Sequence, residues 1–307
     1  MNVTDAMVLQ AVAAHDNKAA AARALGLPRT TLRRRFDQII SHTHEERRIK
    51  GSTQLKLNEH VTVKIPDDID LYLASDLHCG SESSYYKGIE NLVAEVAAND
   101  KARLILGGDQ MEIQPLNYQD CGRTSDSFID MQIVKTTKGL TPVADKLLMI
   151  ASGNHGKARL AAVGIDPDLL VASQLNVPYA TVPKVIVLKP GRKKAIKVCV
   201  GHGASGGMGD GMPELRRFQN VFPGCDIYAL GHNHRLYAQD FGALTVDDTG
   251  KERWHPSWLC RTGSYLLYAE YARYKMYQPQ PVGHLIARIR DGILEDVDVI
   301  KIKVVGK

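Results

Sequence analysis

In the first forty residues, apolar positions recur every three or four residues. Met7, Val8, Ala11 and Val12 form one set, Ala21, Ala22 and Leu25 a second, and Leu32 and Phe36 a third. That period predicts helices across residues 4–40. Asn17 is a candidate cap for the second helix, Gly26 a left-handed stop, and Pro28 an opening residue for the third. Only Leu25-Gly26-Leu27-Pro28 separates these two helices, the short glycine-bearing turn that a helix-turn-helix needs. The polar stretch 41–60 shows no clear period and reads as a linker, in which His42 and His44 read as solvated side chains. From residue 61 the pattern changes to short β-rich runs: 61–65, 70–75, 103–108, 146–152, 184–189, 195–201, 226–231, 258–263 and 284–289. Helical stretches are predicted at about 87–99, 130–138, 165–174 and 213–221. Strands alternating with helices argue for an α/β sandwich whose sheets are covered by helices. The expected organisation is therefore a helical domain at 1–41, a linker at 42–60 and an α/β domain at 61–307.

Composition narrows the class. The 307 residues are 44% hydrophobic and 24% charged, which excludes a disordered or collagen-like chain. No apolar run approaches bilayer length, and no basic segment followed by a long apolar run opens the chain, so neither a membrane span nor a secretory signal is expected. Five scattered cysteines, Cys79, Cys121, Cys199, Cys225 and Cys260, form no CxxC pair and read as reduced thiols of a cytoplasmic protein. The net charge is +5, and residues 1–60 hold 10 Lys and Arg against 6 Asp and Glu. A basic head on a near-neutral body suggests an anionic partner for the head, with a solvated surface as the plain alternative.

The chemistry-bearing residues sit at strand ends. Asp76 and His78 follow one predicted strand, Asp109 the next, Asn154 and His155 another, then His202, then His232 and His234. Glycine stands beside most of them, and in open α/β folds the carboxyl ends of the strands share the rim where ligands bind. Imidazole, carboxylate and amide oxygen, without thiolate, suit Mn²⁺, Fe, Zn²⁺ or Ni²⁺ in a two-metal site. Such a pair lowers the pKa of a shared water and clamps a phosphoryl group for in-line displacement.

The ordered set Asp76-Leu77-His78, Gly108-Asp109, Gly153-Asn154-His155, Gly201-His202 and Gly231-His232-Asn233-His234 resembles the signature of the calcineurin-like metallophosphoesterases. The resemblance spans residues 70–264 and implies a four-layer αββα sandwich and two divalent ions, manganese first among them. By its pattern Asp76, His78 and His234 would hold one ion, Asn154, His202 and His232 the other, and Asp109 would bridge. A metal-bridging hydroxide would attack phosphorus in line, and His155 would be the general acid that protonates the leaving oxygen. Glu112 could supply the second acidic residue that often follows the GD motif, whereas Gly156 stands where an acidic residue often follows GNH. The Asp-Arg-Gly extension of the Ser/Thr protein phosphatases is missing after Asp109. Asp76-Leu77-His78-Cys79-Gly80 is similar to the form found in double-strand-break repair nucleases, and Thr262-Gly263-Ser264 to an element of the phosphodiesterase branch.

Residues 5–38 resemble the Fis-type helix-turn-helix. The third helix would present Arg29, Thr30, Thr31, Arg33, Arg34 and Arg35 to DNA, in a dimer because a single such unit binds weakly. An alanine-rich hairpin used only for self-association is the alternative. The reading that follows is a DNA-directed, metal-dependent phosphodiesterase or nuclease of a bacterial or phage cytoplasm. A phosphatase or cyclic-nucleotide phosphodiesterase with a regulatory head, and a DNA-binding regulator with a non-catalytic metal site, are the competing expectations. Tyr265, Tyr268, Tyr271, Tyr274 and Tyr277, at three-residue spacing, read either as packing or as a base-stacking stripe. The glycine-rich 201–212 segment, which is not a Walker loop, reads as a mobile flap beside His202.

Overall fold

The computed structural model describes residues 3–4, 7–8, 11–12, 18–35, 61–113, 128–156, 160, 164–204, 209–246 and 249–304. Asn17, Phe36, the expected linker and its two histidines, and the centre of the glycine-rich segment lie outside these residues. The chain divides into two compact units, Met1–Gln54 and Leu55–Lys307.

In the first unit, α1 (Lys18–Ala24) and α2 (residues 29–35) pack on Val8, Ala11 and Val12. Val8, Ala11, Ala21, Ala22 and Leu32 are buried together, with Val12, Leu25 and Leu27 against them. Helix α1 ends as the sequence predicts. Gly26 has φ +64°, its N–H donates to the Arg23 carbonyl (3.0 Å) and the Leu27 N–H to the Ala22 carbonyl (2.9 Å), a Schellman stop. The Pro28 carbonyl accepts from Leu32 (3.0 Å) and starts α2.

The second unit holds twelve described strands in two mixed six-stranded sheets. One sheet has the order β12-β11-β2-β3-β4-β5, formed by Ile293–Lys301, Gly283–Arg290, Ile69–Ala74, Ala102–Leu106, Leu147–Ala151 and Tyr179–Ala180. The other has the order β1-β6-β7-β8-β10-β9, formed by Val61–Ile65, Lys184–Pro190, Ile196–Gly201, Ile227–Leu230, Glu252–Thr262 and Leu236–Val246. Leu71, Leu73, Ile105 and Met149 of the first sheet meet Ile186, Val198, Ile227 and Cys260 of the second in a buried core between them. On the outer face of the first sheet lie α3 (Tyr86–Ala98), α4 (Ile129–Leu140) and α5 (Pro167–Gln174). Helix α3 buries Ile89, Leu92, Val93 and Val96, one stripe at helical spacing. Asp166 caps α5, its side chain accepting from the Leu169 N–H (3.2 Å), and Pro167 begins the helix. Helix α6 (Met212–Val221) covers the second sheet with Leu215 and Phe218. The architecture is a four-layer αββα sandwich, and a short helix α7 (Glu270–Tyr274) lies in the connection from β10 to β11.

Strands β2, β3 and β4 are parallel neighbours in one sheet, and β7 and β8 in the other. Their carboxyl ends carry all five motif segments.

Candidate metal centre

Sheet geometry alone brings the strand ends near one another; backbone conformation then turns the side chains inward. Asp76, His78, Asp109, His232 and His234 have φ of 53°, 49°, 51°, 72° and 58°, left-handed values that cost an L-residue roughly 1 kcal/mol or more each. The segments are stitched together. The Asp76 N–H donates to Gly108 O (2.9 Å) and the His78 N–H to Asp109 O (3.0 Å). The His155 N–H donates to Asp109 Oδ1 (2.8 Å) and the His232 N–H to Asp76 Oδ2 (3.0 Å). Gly153 is required by this crowding, because a Cβ there would collide with the Asp109 carboxylate and backbone nitrogen.

The ligand-type atoms converge in two clusters. In one, Asp76 Oδ1 lies 3.3 Å from His234 Nε2 and 3.8 Å from His78 Nε2, and the two imidazole nitrogens are 3.3 Å apart. In the other, Asp109 Oδ2 is 3.0 Å from His202 Nε2, while Asn154 Oδ1 is 2.9 Å from that nitrogen and 2.8 Å from His232 Nδ1. His155 Nε2 stands 3.9 Å from Asp109 Oδ2, so Asp109 is shared by the His202 and His155 sides. All seven metal candidates, and His155, lie at this one site.

The outer atoms of the imidazoles are anchored. His78 Nδ1 contacts Glu112 Oε2 (2.8 Å), His202 Nδ1 the Gly107 carbonyl (3.0 Å) and His155 Nδ1 the Glu112 carbonyl (3.0 Å). A proton on each Nδ1 satisfies these contacts and leaves each Nε2 facing inward. Burial disfavours the His78 cation, but the Glu112 charge and bonds to Asp76 and Glu112 outweigh it and lift its pKa to about 10. His202 follows the same balance against Asp109 and Asp76 and rises to about 9. Burial would raise the Asp109 and Glu112 carboxyls, yet the neighbouring imidazoles hold both well below the usual range. The buried Asp168, near charged Asp109 and donated to by the Gly153 N–H (3.2 Å), is pushed up to about 8.

These residues fit divalent ions. Asp76 Oδ1 is fully buried and meets only the His234 and His78 imidazole nitrogens, without a well-formed hydrogen bond to either, so a cation shared by the three would satisfy it. Facing imidazole nitrogens, carboxylates and one amide oxygen make an N/O donor set of the borderline type.

Sequence reasoning missed two supports. Ser75 hydrogen-bonds Asp76 Oδ2 and Thr262 Oγ1 (2.6 Å) and gives no sequence signal. Arg261 is fully buried; its Nη1 donates to Gly231 O (3.0 Å) and its Nη2 to Gly211 O (2.7 Å) and Glu214 Oε2 (2.8 Å). An arginine inside the apolar run Trp-Leu-Cys-Arg-Thr was the available signal. The tyrosine stripe is not one face: Tyr265 is buried with its hydroxyl on His284 Nδ1 (2.8 Å), whereas Tyr274 is exposed. Packing accounts for Tyr265, and because residues 265–277 pass from loop into the short helix α7 and out again, no single period runs through them. The four described cysteines are buried, and none is in a disulfide.

On α2, Arg29, Thr30, Arg33 and Arg34 are exposed, Thr31 and Arg35 are half-buried, and Leu32 faces the core. The profile of the bacterial regulatory protein, Fis family, matches residues 5–38. Residues 5–38 carry a Fis-type helix-turn-helix. None of the curated proteins compared with the chain matches it. Among solved structures, the chain is similar to wild-type Vps29 complexed with zinc from Entamoeba histolytica, at 12% identity over 76% of this chain and 98% of that one, TM-score 0.41. It is similar to a serine/threonine phosphatase from Saccharomyces cerevisiae with similarity to human phosphatase PP5, at 11% identity over 81% and 84%, TM-score 0.40. It is also similar to the nuclease MPE of Pseudomonas putida, at 13% identity over 75% and 87%, TM-score 0.31. At such identities and TM-scores these likenesses decide neither activity nor substrate. Among the described residues no helix is long and apolar enough to cross a membrane.

Proposed function

We propose that the chain is a metal-dependent phosphodiesterase acting on DNA, to which its own helix-turn-helix recruits it. The observation that carries the reading is the meeting of Asp76, His78, Asp109, Asn154, His202, His232 and His234, their ligand-type atoms within a few ångströms of one another, at one buried site. Asp76, His78 and His234 would hold one ion, Asn154, His202 and His232 a second, and Asp109 would serve both; Mn²⁺ is the ion we expect. Bound there, the cations would supply positive charge for a phosphodiester and a water acidified toward neutral pH. Glu112 and Gly107 fix the His78 and His202 rings, so no reorientation is needed before substrate arrives. His155, held at Nδ1 by the Glu112 carbonyl, offers a proton at Nε2 to the leaving oxygen. The exposed arginines of α2 would meet DNA phosphates and base edges, and tethering by that unit raises the local concentration of phosphodiester.

The test is a substrate panel on the full chain with Mn²⁺ and other divalent ions. Bis-p-nitrophenyl phosphate should turn over faster than the monoester, and single- or double-stranded DNA should be cut. Faster monoester turnover would favour a phosphatase. Absence of any bound divalent ion by elemental analysis, even after soaking, would sink the reading.

A further inference from the structure

Beside the candidate metal centre lies a cleft of about 740 Å³, within the size range of small-ligand sites. Asn154 and His202 line it, and both belong to the cluster proposed to hold the second ion. Whatever is attached to a phosphoryl group at that ion therefore has this cleft as its neighbour. The segment after β5 supplies Val182 and Pro183 to the lining, and α6 with the residue that ends it supplies Phe218, Val221 and Phe222. Glu214, Arg217, Phe218 and Val221 fall at i, i+3, i+4 and i+7, so a single face of α6 is turned to the cleft.

The lining is unusual for a surface so close to buried charges. Val182 is 55% exposed and Val221 70% exposed, and Phe222 is half-buried, its ring edge-on to Phe218 at 5.3 Å between centroids. The two charged residues that α6 contributes differ in their state. Glu214 is engaged: Oε2 accepts from Arg261 Nη2 (2.8 Å) and Oε1 from the Ala204 N–H (2.7 Å). Arg217 is exposed and makes no ion pair among the described residues. Exposed apolar and aromatic side chains beside an arginine are what a nucleotide needs, the first for a base and the second for a phosphate.

We propose that this cleft receives one nucleoside of the substrate, with its base against Val182, Val221 and Phe222 and its next phosphate at Arg217. The inference rests on the phosphodiesterase reading and deepens it. His155, given the leaving oxygen in that reading, does not line the cleft, so the nucleoside held there is the one that stays on phosphorus. Contact with apolar side chains requires a base whose face is bare. Bases stacked inside a duplex offer none, so the entering nucleotide is unpaired, as in a single strand or at a frayed duplex end.

Two chromogenic diesters isolate the base, because thymidine 5′-(p-nitrophenyl phosphate) and methyl p-nitrophenyl phosphate release the same phenolate. The full chain with Mn²⁺ should favour the thymidine ester by roughly 10–100-fold in kcat/KM, the range expected of one stacked base, with the gain mostly in KM. Val221→Asp should collapse that preference toward unity. Arg217→Ala should erase the further gain that a 3′-phosphate brings to the thymidine ester. Both positions are exposed, so neither substitution disturbs the core. A short thymidylate carrying iodouracil, irradiated with the full chain, should attach to Phe222 by peptide mass spectrometry. Equal turnover of the thymidine and methyl esters, a preference that survives Val221→Asp, or attachment only outside the cleft would overturn the proposal. Failure of both esters to turn over with metal bound would refute the catalytic reading, while attachment at Phe222 would still locate the nucleotide in the cleft.

Discussion

Asp109 carries two tasks within one carboxylate. Oδ1 accepts the His155 N–H, Oδ2 faces His202, and the left-handed backbone aims both into the centre. Asp109→Ala should therefore abolish divalent-ion binding by calorimetry together with hydrolysis. His155→Ala should leave ion stoichiometry intact and slow turnover by roughly 10²–10⁴-fold, the usual loss for a general acid. A third residue governs acid stability. Asp70 on β2 is buried, which would raise its pKa, but bonds from Asn99, Arg290 and Arg288 outweigh burial and hold it at about 2. Because its folded value lies below the unfolded 3.8, its contribution is full above that value and is lost as pH falls through about 2. Asp70→Asn should cost on the order of 2 kcal/mol at neutral pH and flatten that acid limb in thermal melts. The candidate ligands were legible in the sequence because each motif pairs a chemical side chain with a glycine at a strand end. Ser75 was not, and Arg261 showed only as a charge within an apolar run, because their roles arise from contacts with segments 30 to 188 positions away.

At the scale of elements, local signals were read where one force dominates. Strands β2, β3, β4, β7 and β8 are buried apolar runs, and their boundaries fall within a residue or two of the pattern. Strand β9 escaped because Gln239, Asp240 and Gly242 break the alternation; it exists by pairing along the whole of β10. Strand β12 was hidden by its acidic residues, and β5 is too short to show a period. In the first unit, the turn after α1 depends on Gly26, whose Cβ position is open but whose φ is +64°. Gly26→Ala should thus act through backbone strain alone, costing about 1 kcal/mol and lowering DNA affinity with little effect on small-substrate turnover. Fluorescence anisotropy on labelled duplex checks it.

For the molecule as a whole, the chain divides into the compact units Met1–Gln54 and Leu55–Lys307, and the proposed function assigns recruitment to the first and chemistry to the second. Removing residues 1–50 should spare hydrolysis of bis-p-nitrophenyl phosphate and weaken DNA binding. Binding by the intact chain should fall steeply with added salt, as counterion release requires when arginines neutralise phosphates. A truncated chain that loses small-substrate hydrolysis would show that the two units are not separable in this way.

The five left-handed residues of the centre have a bearing on engineering. Each is a place where glycine would relax the backbone, so a screen that rewards heat resistance alone has an incentive to erase the ligands. His234, the least enclosed of the Asp76 cluster, is the first expected casualty. His234→Gly should emerge from such a screen with a higher melting temperature and a weaker hold on its ion, and any stabilised descendant should be built with these positions frozen.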